Sequence, residues 1–311
     1  MRGTPDGRRP RPGYSESVDW KRTVNAALDR TTGYELRRRD RRAKPAARDR
    51  RDSVASLRPG DRLVAAPTFI LCTLRSGSTL LRVLLNSHPQ VHAPHELHLR
   101  YVSVHLDRKW SKRSMNEMGL DARSLEYLLW DRVLHRELAT SGKRLIVDKT
   151  PNNVFMANRL RECWPDARFV FLLRHPAAIA RSWQDMAGKD GDKEIELIRR
   201  YCSALEGARQ TYDGLTVRYE DLTADPLTTT RRLCRFLDIE WEPTMLEYGK
   251  FEHGRYRAGL GDFAEKIKMG EVRPPDPPPD EIPEPLREAS AAWGYAPSVD
   301  SAASQRSATP S

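Results

Sequence analysis

The sequence lacks any apolar run long enough to cross a membrane. Its longest apolar stretches, such as Phe69 to Cys72 and Phe169 to Leu173, span a few residues, whereas a membrane-spanning helix needs about 20. The first residues carry charges and prolines without a following apolar segment, so we also expect no secretory signal peptide. These two absences predict a cytoplasmic protein.

Cysteine is scarce, and its spacing excludes the common structural uses of the residue. The four cysteines form no Cys-x-x-Cys pair; they are Cys72, Cys163, Cys202 and Cys234. In a chain without a secretion signal, such isolated residues are best interpreted as buried free thiols. We therefore expect neither a disulfide framework nor a structural zinc ion.

Basic residues outnumber acidic ones, and the formal net charge of +10 indicates an anionic partner. Nucleic acid, an anionic membrane surface and a small polyanionic cofactor all fit that charge. Much of it lies in residues 1–62, which mix arginine pairs and prolines with few large apolar residues and predict a largely flexible arm. Within this arm Val18 to Leu28 could form a short helix, and contact with an anionic membrane stays open. We assign residues 63–296 to one folded domain and 297–311 to a disordered tail.

Strand and helix patterns alternate through this domain, which predicts an α/β fold. The strands are short apolar runs suited to a parallel sheet that is buried on both faces. They are predicted at Pro67 to Thr73, Arg144 to Val147, Arg168 to Leu173 and, more weakly, Leu215 to Arg218. The helices are predicted at Ser78 to Asn86, Ser124 to Ser141, Asn153 to Cys163, Ala177 to Met186, Ile195 to Tyr212 and Pro226 to Leu237. This order predicts a three-layer α/β/α domain around a parallel central sheet.

A phosphate-type loop stands where the first predicted strand turns into the first helix. Its sequence is Leu74-Arg75-Ser76-Gly77-Ser78-Thr79-Leu80. A glycine permits close backbone approach, and free helix amides, hydroxyls and an arginine can surround an anion. A glycine turn followed by an ordinary helix cap would give a similar string. The loop lacks the lysine and first glycine of G-x-x-x-x-G-K-[ST], so a β/γ-phosphate pair with magnesium is disfavoured.

A second anion-binding signal follows the strand at Arg168 to Leu173. Arg174 ends that strand, and Ser182 lies 182 − 174 = 8 residues later on the next predicted helix. About two helical turns and a short loop can return the serine hydroxyl toward an anion held by the arginine. Two such elements at carboxyl ends of strands suit a nucleotide that is phosphorylated at both 5′ and 3′ positions.

Together these motifs resemble the sulfotransferases that use 3′-phosphoadenosine 5′-phosphosulfate (PAPS). The loop Arg75 to Thr79 resembles that family's 5′-phosphosulfate loop, and Arg174 with Ser182 resembles its 3′-phosphate pair. Asp148-Lys149-Thr150-Pro151 and Arg218-Tyr219-Glu220-Asp221-Leu222 resemble two further family segments. The resemblance runs from about Pro67 to Trp293. It implies a PAPS-dependent transferase without a metal, with Tyr219 near the nucleotide or, as an alternative, in the core.

The resemblance also points to a branch of the family. Arg75 stands where cytosolic phenol and steroid sulfotransferases carry lysine, as it does in tyrosylprotein and many bacterial members. The Arg-Lys-Gly cofactor segment of the cytosolic type is absent; basic residues of the corresponding stretch are Arg255, Arg257, Lys266 and Lys268. The chain is therefore similar to a bacterial member that is closer to the tyrosylprotein and carbohydrate branches.

By the same resemblance Glu96 is the candidate base, since a glutamate after this helix is the catalytic base in those branches. The alternative is a solvated loop glutamate. Lys149 is expected near the oxygen that bridges the sulfate and phosphate of the donor; the alternative is an ordinary surface lysine. His88 either contacts the cofactor region or caps the helix. His95, Glu96 and His98 do not form H-E-x-x-H, and we expect no metal there.

The resemblance implies an acceptor hydroxyl group on a carbohydrate, lipid, peptide or small metabolite, and the sequence does not choose among these. Loops such as Tyr101 to Ala122 and Gly188 to Lys193 are expected to decide it. Two rival functions remain at this point. A P-loop nucleotide kinase would share the fold, and a non-catalytic basic protein would bind nucleic acid or membrane through its charge. If the protein is a PAPS-dependent sulfotransferase, we expect no nucleic-acid partner.

Overall fold

The computed structural model describes residues 57–187, 192–253, 270–274, 277–279 and 281–295. Most of the predicted N-terminal arm, its short helix, the C-terminal tail and the basic residues Arg255, Arg257, Lys266 and Lys268 lie outside these ranges. None of the described helices is both long and apolar enough to cross a membrane. The four cysteines are buried free thiols, which confirms that prediction.

A five-stranded parallel sheet forms the centre of the described domain. Its strands are β1 (Thr68–Cys72), β2 (Val91–His92), β3 (Leu145–Asp148), β4 (Arg168–Leu173) and β5 (Gly214–Arg218), and they lie in the order β2-β3-β1-β4-β5. All five residues of β1 are buried, because helices cover the sheet on both sides. The order places β1 in the middle, so a loop that leaves β1 can reach the loops of every other strand.

In the described ranges the α-helices are α1 (Ser78–Asn86), α2 (Lys109–Glu117), α3 (Ala122–Ser141), α4 (Ala157–Cys163), α5 (Pro176–Ala187), α6 (Asp192–Thr211), α7 (Tyr219–Ala224), α8 (Pro226–Leu237) and α9 (Arg287–Ala292). Alternate residues of the strands point to opposite faces. Phe69 and Leu71 of β1 join one apolar cluster with α3, α4, α5 and α6. Ile70 and Cys72 join a second cluster with α1 and α8. The predicted three-layer α/β/α fold is confirmed.

The predicted elements agree with the structure to within a few residues, with one local correction. The predicted helix at Asn153 to Cys163 starts instead as a 3₁₀ turn, Pro151–Met156, and becomes α4 only at Ala157. The backbone N–H of Asn153 donates to the Thr150 carbonyl at 2.9 Å, three residues back, which is the tighter 3₁₀ spacing.

Among the described α-helices and strands, four were not predicted: β2, α2, α7 and α9. Helix α2 lies in the predicted loop from Tyr101 to Ala122, and none of its residues is buried. It therefore has no apolar stripe that a sequence pattern could reveal. The other three span two or six residues each, which is too short for a periodic signal.

Candidate active site

The candidate residues come from the carboxyl ends of all five strands. In a parallel sheet these ends lie at one edge, where ligands of open α/β folds bind. Strand β1 leads to the loop at Arg75, β3 leads to Lys149 and β4 leads to Arg174. Glu96 follows β2, and Tyr219 follows β5. Residues that are far apart in the sequence thereby face a common site.

The loop between β1 and α1 has the backbone shape of an anion-binding turn. Arg75 and Gly77 both have positive φ angles, 62° and 79°. The Ser76 hydroxyl donates to the Thr73 carbonyl at 2.9 Å and closes the turn. Gly77 is the N-cap of α1 and has no side chain that could cap the helix. The first amides of α1 therefore point, with the positive end of the helix dipole, toward the site.

Tyr219 packs directly on this loop. A Cβ atom added to Gly77 would stand 2.2 Å from Cδ2 of the Tyr219 ring, so only glycine fits. The guanidinium carbon of Arg174 lies 4.6 Å from the centre of the same ring. The half-buried ring thus lies between the loop and Arg174, and it also packs against the second apolar cluster.

Arg75, Arg174 and Ser182 form one cluster. Arg174 donates from Nη1 to the Arg75 carbonyl oxygen at 2.7 Å. Arg75 in turn donates from Nε to the Ser182 hydroxyl at 3.2 Å. Burial lowers the pKa of Arg75, and the positive charge of Arg174 lowers it further, whereas Asp185 raises it. Two guanidinium groups held this close favour an anion between them.

Glu96 and Lys149 form a buried ion pair. Lys149 Nζ donates to Glu96 Oε1 at 2.5 Å, and the two residues are 1% and 7% exposed. Neither a solvated loop glutamate nor a surface lysine fits this burial, so both of those alternatives are wrong. The other carboxylate oxygen, Oε2, lies 3.4 Å from Nε2 of His98. Glu96 therefore has one cation on one oxygen and an imidazole beside the other.

A buried network behind the pair holds both of their loops. The Thr150 hydroxyl donates to Asp148 Oδ1 at 2.9 Å and accepts from the Leu97 amide at 3.1 Å. Asn153 Nδ2 donates to Asp148 Oδ2 at 2.8 Å. Burial raises the pKa of Asp148, while the hydrogen bonds from Asn153 and Thr150 lower it. Sequence reasoning did not assign a role to Thr150, although it lies in the quoted segment with Lys149.

Cys72 joins the two halves of the site from behind. Its pKa is raised to about 11 by burial, although Lys149 and the hydroxyls of Ser78 and Ser76 act to lower it. Cys72 is the last residue of β1, directly before the phosphate-type loop, and the neighbouring strand β3 leads to Lys149. A thiol with this pKa stays protonated at neutral pH, so it packs rather than acts as a nucleophile.

His88 has a structural role. Its Nδ1 accepts from the Gln90 amide at 3.0 Å, and its Nε2 lies 2.8 Å from the Glu240 carbonyl oxygen. The ring is fully buried, so it fixes the turn after α1. The described residues contain no group of three histidine, cysteine, aspartate or glutamate side chains that could hold a metal ion.

Comparison with known proteins finds a matching family model and several similar proteins. The model of the sulfotransferase family matches residues 67–243, more than half of the chain. Protein-tyrosine sulfotransferase 2 of Gallus gallus is 26% identical over 200 residues, which cover 58% of this chain and 53% of that protein. The nodulation protein NoeE of Sinorhizobium fredii is 31% identical over 131 residues, 39% of this chain and 31% of that protein. The chain thus matches about half or less of these curated relatives' length.

Solved structures share the fold. The sulfotransferase domain from the curacin biosynthetic pathway is 20% identical, with a TM-score of 0.54 over 75% of this chain and 99% of that domain. The sulfotransferase domain of the Synechococcus PCC 7002 olefin synthase gives the same identity and TM-score over 76% and 98%. With the match of the family model, these findings show that the chain belongs to the sulfotransferase family.

Proposed function

We propose that this protein transfers a sulfuryl group from PAPS to a hydroxyl group of an acceptor. The observation that carries the proposal is the meeting, at one sheet edge, of two units with complementary chemistry. One is the Arg75–Arg174–Ser182 cluster beside the helix N-terminus, which suits a bisphosphorylated nucleotide. The other is the buried Glu96–Lys149 pair, which combines a proton acceptor with a cation.

The donor-binding roles follow from position. The amides of α1 and the side chains of Ser76, Ser78 and Thr79 would surround the 5′-phosphosulfate, with Leu80 in the same turn. Arg174 and Ser182 would hold the 3′-phosphate, and Tyr219 would keep Arg174 against the loop. Arg75 would lie between the two proposed subsites, since its backbone belongs to the loop and its Nε donates to the Ser182 hydroxyl.

The chemical step is an in-line displacement at sulfur. The acceptor oxygen forms a bond to sulfur while the bond from sulfur to the bridging phosphate oxygen breaks, and the product nucleotide is 3′-phosphoadenosine 5′-phosphate. Glu96 accepts the hydroxyl proton. Lys149 and Arg75 stabilise the charge that develops on the departing oxygen. No covalent intermediate on the protein is needed.

The donor subsite is tested by the change Arg174→Ala. Loss of a partly buried arginine–phosphate contact should weaken binding of 3′-phosphoadenosine 5′-phosphate by about 2 kcal/mol, roughly 30-fold. Binding of 5′-AMP, which has no 3′-phosphate, should change little. Calorimetry with both nucleotides measures this, and Arg200→Ala, an exposed arginine on α6, is the control. Equal losses for the two nucleotides would reject the assignment.

The acceptor is tested by mass spectrometry. The names of several relatives make a peptide tyrosine the first hydroxyl to test, followed by carbohydrates, lipids and small metabolites. Incubation with PAPS should add one SO₃ unit to the true acceptor. A thermal-shift titration with ATP separates the kinase alternative: stabilisation by ATP with magnesium, and none by 3′-phosphoadenosine 5′-phosphate, would contradict the proposal.

A further inference from the structure

The residue that follows Tyr219 connects the nucleotide site to the C-terminal part of the domain. Glu220 lies in the first turn of α7 and is half-buried. Its Oε1 accepts from the backbone N–H of His175 at 3.0 Å. Its Oε2 accepts from the phenol of Tyr295 at 2.6 Å. One carboxylate therefore joins the turn after β4 to the segment after α9.

The turn that Glu220 holds also positions Arg174 and Ser182, the residues predicted to bind the 3′-phosphate. His175 stands between Arg174 and the start of α5 at Pro176, and α5 carries Ser182. A hydrogen bond to the His175 amide thus fixes the backbone where the arginine leaves the sheet and the helix begins. The neighbouring Tyr219 ring contacts Arg174 from the other side.

Tyr295 is held in place by several contacts of its own. The Arg218 guanidinium carbon lies 4.8 Å from the centre of its ring, and the His175 ring meets it edge-on at 5.1 Å. Arg218 also donates to the Trp293 carbonyl oxygen at 2.5 Å. Burial, with the negative charge of Glu220, raises the pKa of Tyr295, so the phenol keeps its proton and donates at neutral pH.

The electrostatics argue against a role for Glu220 in attracting the nucleotide. A carboxylate so close to Arg174 and Tyr219 repels an incoming phosphate. Burying the Glu220 carboxylate near an anion site is itself unfavourable. The stabilising contribution of Glu220 is therefore its two directed hydrogen bonds. The arrangement suits a geometric role, in which the carboxylate fixes a turn.

We infer that Glu220, held by Tyr295, is a positioning residue that sets the 3′-phosphate selectivity of the nucleotide site. The inference rests on the proposed function, because it assumes that Arg174 and Ser182 bind the 3′-phosphate. In this role Glu220 acts through the backbone of His175. Through this contact Tyr295, in the segment after α9, supports the donor site.

The test is the ratio of affinities for 3′-phosphoadenosine 5′-phosphate and 5′-AMP, measured by calorimetry in matched variants. Glu220→Ala removes both hydrogen bonds and should lower the ratio about tenfold. Glu220→Gln can still accept from the His175 amide, and its NH₂ can donate to the Tyr295 oxygen. This variant should keep the ratio and bind both nucleotides at least as tightly as wild type, because the repelling charge is gone.

Two further variants separate positioning from stability. Tyr295→Phe keeps the ring contacts but loses the phenol donor, and should lower the ratio about threefold. Glu206→Ala removes the carboxylate that accepts from Trp293 Nε1 at 2.9 Å. Glu206 holds the same C-terminal segment from α6, so this change should lower the melting temperature and leave the ratio unchanged.

The outcomes are distinct. A wild-type protein that does not favour the 3′-phosphorylated nucleotide would overturn the proposed donor site itself. A wild-type protein that does favour it, with an unchanged ratio in Glu220→Ala, would overturn only the role of Glu220. If Glu220→Ala does not fold, Tyr295→Phe and Glu220→Gln decide the question. A lowered affinity ratio in Tyr295→Phe together with a retained ratio in Glu220→Gln supports the inference. Any other combination contradicts it.

Discussion

The burial of Glu96 and Lys149 limits how these two residues can take part in the proposed reaction. A carboxylate that is 7% exposed and bonded to an ammonium at 2.5 Å is not a free base. In the proposed reaction the departing phosphate oxygen offers Lys149 a new anionic partner, while the acceptor hydroxyl offers Glu96 a proton. Breaking the buried pair without such replacements would leave two uncompensated charges, which is strongly unfavourable.

At this scale the sharpest change is Glu96→Gln. The amide oxygen can still accept from Lys149, although the unbalanced ammonium should lower the free energy of unfolding. A cation without its counterion does not repel an anionic ligand, so affinity for 3′-phosphoadenosine 5′-phosphate should stay at or above the wild-type value. Turnover should fall by about 10² to 10⁴, because the amide does not accept a proton. Single-turnover kinetics with calorimetry measures both. Glu117→Gln, on the exposed helix α2, is the control. Near-normal turnover of Glu96→Gln would show that Glu96 is not the base, and His98 and His95 would be the next candidates.

Among the elements, the loop before α1 depends on one glycine for two reasons. The φ angle of Gly77 is 79°, a region that residues with a Cβ atom rarely adopt. The Tyr219 ring also fills the space that a Cβ atom would need. A methyl group at this position would have to displace both the backbone and the ring that supports Arg174.

Gly77→Ala should therefore lower the free energy of unfolding by about 1 to 3 kcal/mol and weaken nucleotide binding at the same time. Gly207→Ala is the matched control, since Gly207 lies within α6 and its added Cβ meets nothing within 4 Å. That change should stabilise the protein by about 0.5 to 1 kcal/mol. Chemical denaturation and calorimetry on both variants measure the contrast, and a Gly77→Ala protein with wild-type stability and affinity would contradict the loop geometry.

For the whole molecule, two histidines set an expected pH dependence of stability. Burial lowers the pKa of His92, although Glu137 acts to raise it. Burial also lowers the pKa of His175, although Glu220 acts to raise it. The unfolded chain thus takes up these protons near pH 6.5, whereas the folded protein takes them up only at lower pH. Folding is then favoured above about pH 6.5 and loses stability as the pH falls below it.

The free energy of unfolding should consequently decrease between about pH 7.5 and 5.5, a range in which ordinary carboxylates stay ionised. Urea denaturation at a series of pH values measures this. The double variant His92→Gln/His175→Gln should show a flatter profile. An unchanged slope in that variant would assign the pH dependence to other groups.

What the sequence determined by itself was local. The apolar run of β1, the glycine loop and the leucines of α1 are consecutive, so their pattern predicted a strand, an anion-binding turn and a helix. The parallel three-layer fold followed from the alternation of such units. Short or exposed elements such as β2 and α2 stayed hidden, because a pattern needs several buried residues in one element.

Only the tertiary structure decided which side chains meet. Lys149 reaches Glu96 across 53 residues, Arg75 reaches Ser182 across 107, and Glu220 reaches Tyr295 across 75. The burial that turns a loop glutamate and a lysine into an ion pair depends on all the layers packed around them. Spacing along the chain carries no information about such contacts, since it is the sheet order that brings the strand ends together.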